Sequence, residues 1–170
     1  VEDRRFYDHR GIDVARIGKA LLNNLRYMQI VEGASTITQQ AARSALHITQ
    51  RTWFRKLIEI PIALALERFH NKEKILELYF NSIYWGRGAT NVAAAAIDFF
   101  GKNVWALNLK ECALLAALPN HPLRWEVSEA ELSRLEGKSE IVLRLMREQN
   151  VIDDFILAKA RSQQYQLVLC

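Results

Sequence analysis

Glu2 opens the densest run of titratable and aromatic side chains in the chain, Glu2-Asp-Arg-Arg-Phe-Tyr-Asp-His-Arg-Gly11. Such a run offers carboxylates, guanidinium groups and an imidazole that could do chemistry. Composition alone favours the plainer alternative of a solvated chain end. A second cluster, Ser35-Thr-Ile-Thr-Gln-Gln40, leads to Arg43. Its Thr36 and Gln39 have capping-box spacing, and a helix N-terminus presents unpaired N–H groups that can hold an anion. An ordinary capped helix has the same spacing. The third cluster is Arg51-Thr-Trp-Phe-Arg-Lys-Leu-Ile-Glu59. Arg51, Arg55 and Glu59 share one helix face with Lys56 beside them. This is either a surface ladder of ion pairs or, given the aromatic and aliphatic flanks, a carboxylate in partly apolar surroundings. The fourth, Asn81-Ser-Ile-Tyr-Trp-Gly-Arg-Gly88, either shapes a cleft or connects two helices.

The elements that must carry these groups read as helices. Val14, Ile17, Leu21, Leu25 and Met28 recur every three or four residues behind Asp13, a plausible N-cap, with Gly33 just beyond the end. Further helices are expected over residues 52–69, with Pro61 kinking or dividing that one. Others are expected over 72–79, 92–100, 111–118, 128–149 and 153–169. Pro119 stops the helix over 111–118, and the last two are amphipathic. No alternation of period two is long enough for a strand.

The chain has 170 residues, enough for one domain with a real core, and is half hydrophobic and a quarter charged. Its formal charge of +4 suits an anionic partner without choosing between a phosphate-bearing lipid, a membrane surface and nucleic acid. Charged or polar residues interrupt every apolar run well short of the roughly 18 residues of a membrane span. There is no metal-ligand spacing. Cys112 lies in an apolar run and is expected to be a buried small hydrophobe, and Cys170 ends the chain. With no initiator Met and no signal-peptide layout, residues 1–170 are expected to be an N-terminally truncated piece of a longer protein, with 126–170 as closing helices.

The order and wording of the clusters add more. The segments run from Glu2-Asp3…Phe6…His9…Gly11 through Gly33…Ser-Thr-Ile-Thr-Gln-Gln40 to Arg55-Lys56…Glu59…Glu67. Ile75-Leu-Glu77…Tyr79…Asn81 and Leu114-Leu-Ala-Ala-Leu-Pro119…Pro122 follow in turn. Together they resemble the signature segments of family-51 glycosyltransferases, the glycan-polymerising domains of class A penicillin-binding proteins and of monofunctional wall transglycosylases. The resemblance runs in unbroken order to about residue 125.

That resemblance implies a mainly α, lysozyme-like domain with a head lobe, a small membrane-facing jaw lobe and a cleft between them. It implies lipid II and the growing glycan strand as substrates, and inverting transfer that releases undecaprenyl pyrophosphate. The implied place is the outer face of the bacterial inner membrane, beside other cell-wall synthesis proteins and without nucleic acid. No cofactor is required, and a divalent cation (Mg or Mn) bridging the pyrophosphate is compatible with the chemistry.

By the same resemblance Glu2 matches the general base. Glu59 matches a second glutamate that assists at the leaving pyrophosphate, directly or through a cation or water. Ser35, Thr36, Gln40, Arg43, Arg51, Arg55 and Lys56 match positions that hold phosphates and sugar hydroxyls. Asp3, Phe6 and His9 match the rest of the first segment and order Glu2. Such a set suits the chemistry, since charge developing on the pyrophosphate needs fixed cations. The sequence departs from the family pattern in several places. Arg43 stands where Lys is usual, Ser44 for Asn, Asn91 for Gly and Phe99 for Tyr, and Pro61 falls two residues after Glu59. A lytic enzyme of the same fold and a silent lipid II-binding homologue are the competing readings. The three arginines argue against the first and the two glutamates against the second.

Overall fold

The computed structural model describes residues 2–28, 33–46, 53–119, 122–123 and 127–168, with the side chains of the third helix described from residue 55 onward. The described residues are mostly helical and contain no strand. They group into two compact units, Glu2–Ile83 and Tyr84–Cys170.

In the first unit, a turn-rich segment leads into α1 (Val14–Tyr27). The Asp13 side chain accepts from the Arg16 N–H at 3.0 Å, and Met28 closes the helix in the left-handed region. The helix thus ends well before Gly33. Only Ala20 of α1 is buried, whereas Leu21, Leu22, Leu25 and Met28 are at least 61 % exposed. A core-packing role for this stripe is therefore excluded within the described residues.

The next helix, α2 (Ile37–Ala45), starts at the expected capping box. Thr36 Oγ1 accepts from the Gln39 N–H, and Gln39 Oε1 accepts from the Thr36 N–H. It packs against α3 (Trp53–Phe69) and α4 (Lys72–Phe80). Its Ala41 and Ala42 are fully buried and so small that neighbouring backbones can approach closely. The third helix runs through Pro61 without ending there. Pro61 is exposed, which lets water take up the backbone carbonyl freed by the missing N–H. Gly11 joins the first segment to α3. Its φ is +84°, and a Cβ there would lie 2.9 Å from the Ala63 carbonyl oxygen. No other residue type fits both demands.

The second unit carries α5 (Val92–Phe100), a 3-10 turn (Val104–Ala106), α6 (Leu109–Ala117), α7 (Glu129–Glu148) and α8 (Asp154–Ser162). Asn108 with Glu111, and Ser128 with Glu131, form capping boxes. Ala113, Val142, Leu143, Ile152, Leu157 and Ala160 form its core. Two expectations need correction here. The last helix ends at Ser162 and residues 163–168 are not helical, because tertiary bonds hold their end instead. The Val168 N–H donates to the Phe99 carbonyl at 2.9 Å, and the buried Arg87 guanidinium donates to the Val168 carbonyl at 2.6 Å while lying 4.6 Å over the Phe99 ring. Cys112 is exposed rather than buried. The face of α6 that enters the core passes through Glu111, Leu114, Leu115 and Leu118, which leaves Cys112 and Ala116, one turn apart, on the outer side.

Candidate active site

Almost every candidate among the described residues falls in the first unit, Glu2–Ile83. The first segment is no solvated chain end: Asp3, Phe6, His9 and Gly11 are buried. Its anchor is Asp3, whose Oδ2 faces His9 Nε2 at 2.9 Å and accepts from the Ile37 N–H at 3.0 Å. Both side chains of the Asp3–His9 pair are nearly inaccessible. The anion at the N-terminus of α2 is thus the protein's own carboxylate, which answers the dipole that sequence reasoning had offered to a ligand.

Thr36 is likewise committed to the fold. Its hydroxyl donates to the Gly11 carbonyl at 2.6 Å and accepts from the Gln39 N–H at 3.2 Å, and the residue is fully buried. The Phe6 ring stands edge-on to His9, with centroids 6.2 Å apart.

These contacts deliver Glu2, which is half-buried, to one flank of α2. Gln40 Nε2 donates to Glu2 Oε2 at 3.3 Å, and the Arg16 guanidinium donates to the Glu2 backbone carbonyl. Arg43 lies one turn beyond Gln40 on the same helix and is half-buried, so a cation follows the carboxylate's partner along one face.

A second charged group lies on α3. Glu59 is completely buried, and Arg55 Nε and Lys56 Nζ stand 3.0 Å from its two oxygens. Those approaches lie off the hydrogen-bond directions, so the contact is chiefly Coulombic. The cations are 22 % and 36 % exposed at their side chains against 0 % for the carboxylate. This is therefore not a surface ladder: the anion is inside and the cations reach outward. Lys56 also donates to Ser35 Oγ at 2.7 Å, which ties the cluster to the residue before the N-cap of α2. Arg51 lies outside the described residues.

Sequence reasoning missed a supporting network. Glu67 Oε1 accepts from Thr38 Oγ1 at 2.6 Å and from Lys72 Nζ at 2.7 Å. Lys72 also donates to the His9 carbonyl at 2.6 Å and lies 4.4 Å over the Phe6 ring. One ammonium thereby joins the first segment to α3 and α4. The five-residue spacing of Glu67 and Lys72 across a helix break gives no local signal for this. Among the described residues no group of three His, Cys, Asp or Glu side chains is placed to hold a metal ion.

Comparison with known proteins agrees with this picture. The model of the transglycosylase family matches residues 1–147. Penicillin-binding protein 1A of Aquifex aeolicus (strain VF5) is 44 % identical over 147 residues, covering 86 % of this chain and 20 % of that protein. Penicillin-binding protein 1A/1B of Bacillus subtilis (strain 168) is 39 % identical over 161 residues, covering 94 % and 18 % respectively. The crystal structure of penicillin-binding protein 1A from Haemophilus influenzae is similar with a TM-score of 0.52 and 27 % identity, covering 78 % of this chain and 17 % of that one. The chain thus spans about a fifth of the length of the relatives it matches. The mainly α, lysozyme-like class expected from the motifs stands. With the motif order, the helical fold and a family match over most of its length in agreement, the chain belongs to the transglycosylase family, the family-51 peptidoglycan glycosyltransferases.

Proposed function

We propose that the chain polymerises glycan strands from lipid II. The 4-hydroxyl of the incoming GlcNAc attacks the anomeric carbon of the growing strand and gives its proton to Glu2. The new O4–C1 bond forms with inversion as the C1–oxygen bond to the lipid pyrophosphate breaks, and the electron pair leaves with the pyrophosphate. The observation that carries this reading is Glu2 itself, a half-buried carboxylate held by Gln40 on the helix that also bears Arg43. Incubation of the full-length protein with lipid II tests it. Polymer that lysozyme digests is the expected product, and its absence, or cleavage of finished glycan instead, rejects the reading.

The cations divide the remaining work. Arg43 and the outward-reaching Arg55 and Lys56 neutralise charge on the pyrophosphate, and Gln40 and Ser35 hold polar sugar or phosphate groups. The buried Glu59 acts through Arg55 and Lys56 as their fixed counter-charge, which makes it a positioning residue. A divalent cation, where one takes part, would add to the neutralisation of pyrophosphate charge beside Arg43, Arg55 and Lys56. Arg43→Lys keeps the charge and should retain most activity. Arg43→Ala should weaken substrate binding about tenfold or more, the scale of one charge-assisted hydrogen bond. Equal, severe loss in both variants would show that the guanidinium fork, not charge, is what matters.

The place of action is the membrane surface, on the outer face of the inner membrane. Among the described residues no helix is long and apolar enough to cross a membrane. The exposed stripe Leu21, Leu22, Leu25 and Met28 on α1, with Arg16, Lys19 and Arg26 on the same helix, suits shallow binding to an anionic bilayer. A Leu21→Gln/Leu25→Gln double variant should float with anionic liposomes less than the parent while its circular dichroism is unchanged. Unaltered flotation would remove α1 from the contact.

A further inference from the structure

Tyr79, on α4, is buried to 3 % exposure in the helix pair that α4 makes with α2. Its hydroxyl is inaccessible and has no hydrogen-bond partner among the described residues. Leaving a buried hydroxyl unbonded costs about 1–3 kcal/mol, so such a group calls for a role in another state of the site. The charges that act on it are those of the proposed reaction: Glu2 from the first segment and Arg43 from α2. Burial pushes the phenol well above its ordinary value, the Glu2 carboxylate pushes it further, and Arg43 opposes them, so the hydroxyl keeps its proton and remains a donor. On α3, which also packs on α4, Glu59 is matched by Arg55 and Lys56, and Glu67 by Lys72 and Thr38. Of these carboxylates, Glu2, already the acceptor for Gln40 on α2, is the one whose charge acts on the phenol.

We infer that Tyr79 is a positioning residue for Glu2: in the substrate-loaded site its hydroxyl donates to the Glu2 carboxylate and fixes the oxygen that takes the acceptor proton. The inference rests on the assignment of Glu2 as base. The bond favours the ionised carboxylate that general-base catalysis requires. The hydroxyl is unbonded in the resting molecule so that its bond forms only when the site is loaded, which is where an interaction adds to turnover rather than to ground-state binding.

The test is Tyr79→Phe in the full-length protein, a change that keeps the ring and deletes only the hydroxyl. Three measurements are needed: steady-state polymerisation of lipid II across pH, affinity for lipid II bearing 4-deoxy-GlcNAc, which cannot accept a strand, and thermal melting. Expected are a fall in kcat of about tenfold or more, the scale of a hydrogen bond to a charged group, and an acidic limb of the kcat profile, which reports the loaded site, displaced to higher pH. Affinity for the 4-deoxy probe and Tm should be unchanged, or Tm raised, because no resting hydrogen bond is lost. Unchanged kcat overturns the inference. So does a lowered Tm with the acidic limb in place, which marks a structural role. Weaker binding of the 4-deoxy probe with the limb in place also overturns it, because the hydroxyl would then contact substrate instead of Glu2. Failure here is distinct from failure of the base assignment, which Glu2→Gln tests by itself.

Discussion

Glu2→Gln should lower polymerisation by about 10²–10⁴-fold, the usual contribution of a general base, while affinity for the 4-deoxy lipid II probe stays near that of the parent. The side chain is almost isosteric, and Gln40 can still bond to its amide oxygen, so the fold has little reason to change. Glu59→Gln should behave differently. It removes the buried counter-charge from Arg55 and Lys56, and both cations are then freed from the places they hold 3.0 Å from it. Its turnover should fall together with binding of the pyrophosphate-bearing probe, and its response to a Mg or Mn titration should differ from that of Glu2→Gln. Normal polymerisation by Glu2→Gln would remove it as the base. Identical binding and metal responses in the two variants would refute the separation of roles between them.

The second large effect is on stability. Replacing both Arg55 and Lys56 by Met strands the Glu59 carboxylate, 0 % exposed, without its two cations. Breaking a buried pair from one side costs about 3–5 kcal/mol, because the remaining charge keeps its desolvation penalty and loses its compensation. At about 2–4 °C per kcal/mol for a domain of this size, Tm should fall by roughly 6–20 °C. Adding Glu59→Gln to the double variant removes the stranded charge and should restore most of the loss, though not activity. A double variant that melts with the parent would mean that α3 does not depend on this cluster. Failure of the third substitution to rescue would mean that the alkyl stems of Arg55 and Lys56, rather than their charges, support the helix.

Much of the helical framework was legible because its signals are local. The N-caps at Asp13 and Thr36, the helix over residues 92–100 and the stop near Pro119 depend on groups within about four residues of each other, and the structure shows each of them. The signature segments likewise located the family in the linear order of the chain. Periodicity placed the apolar stripe of α1 correctly on one face of a helix, yet periodicity cannot say what that face meets. Here it meets the exterior.

What the tertiary structure decided lies in bonds that span the chain. Asp3 reaches the N-terminus of α2 across 34 positions, and its carboxylate takes the place that the N-terminus could have offered to an anion. Gln40 reaches Glu2 across 38 positions, and Arg87 holds Val168 across 81, ending the last helix early. Charges four apart on a helix are the same pattern whether they face water or the core, so the apolar flanks of Glu59 allowed its burial but the spacing could not choose it. The sequence by itself determined the helices, the order of the motifs and the residue types of the chemistry, since each depends on neighbours along the chain. Which carboxylate stands half-open beside its partner and which lies sealed against two cations was decided only by packing. Exposure is set by whatever the fold brings up from far along the sequence.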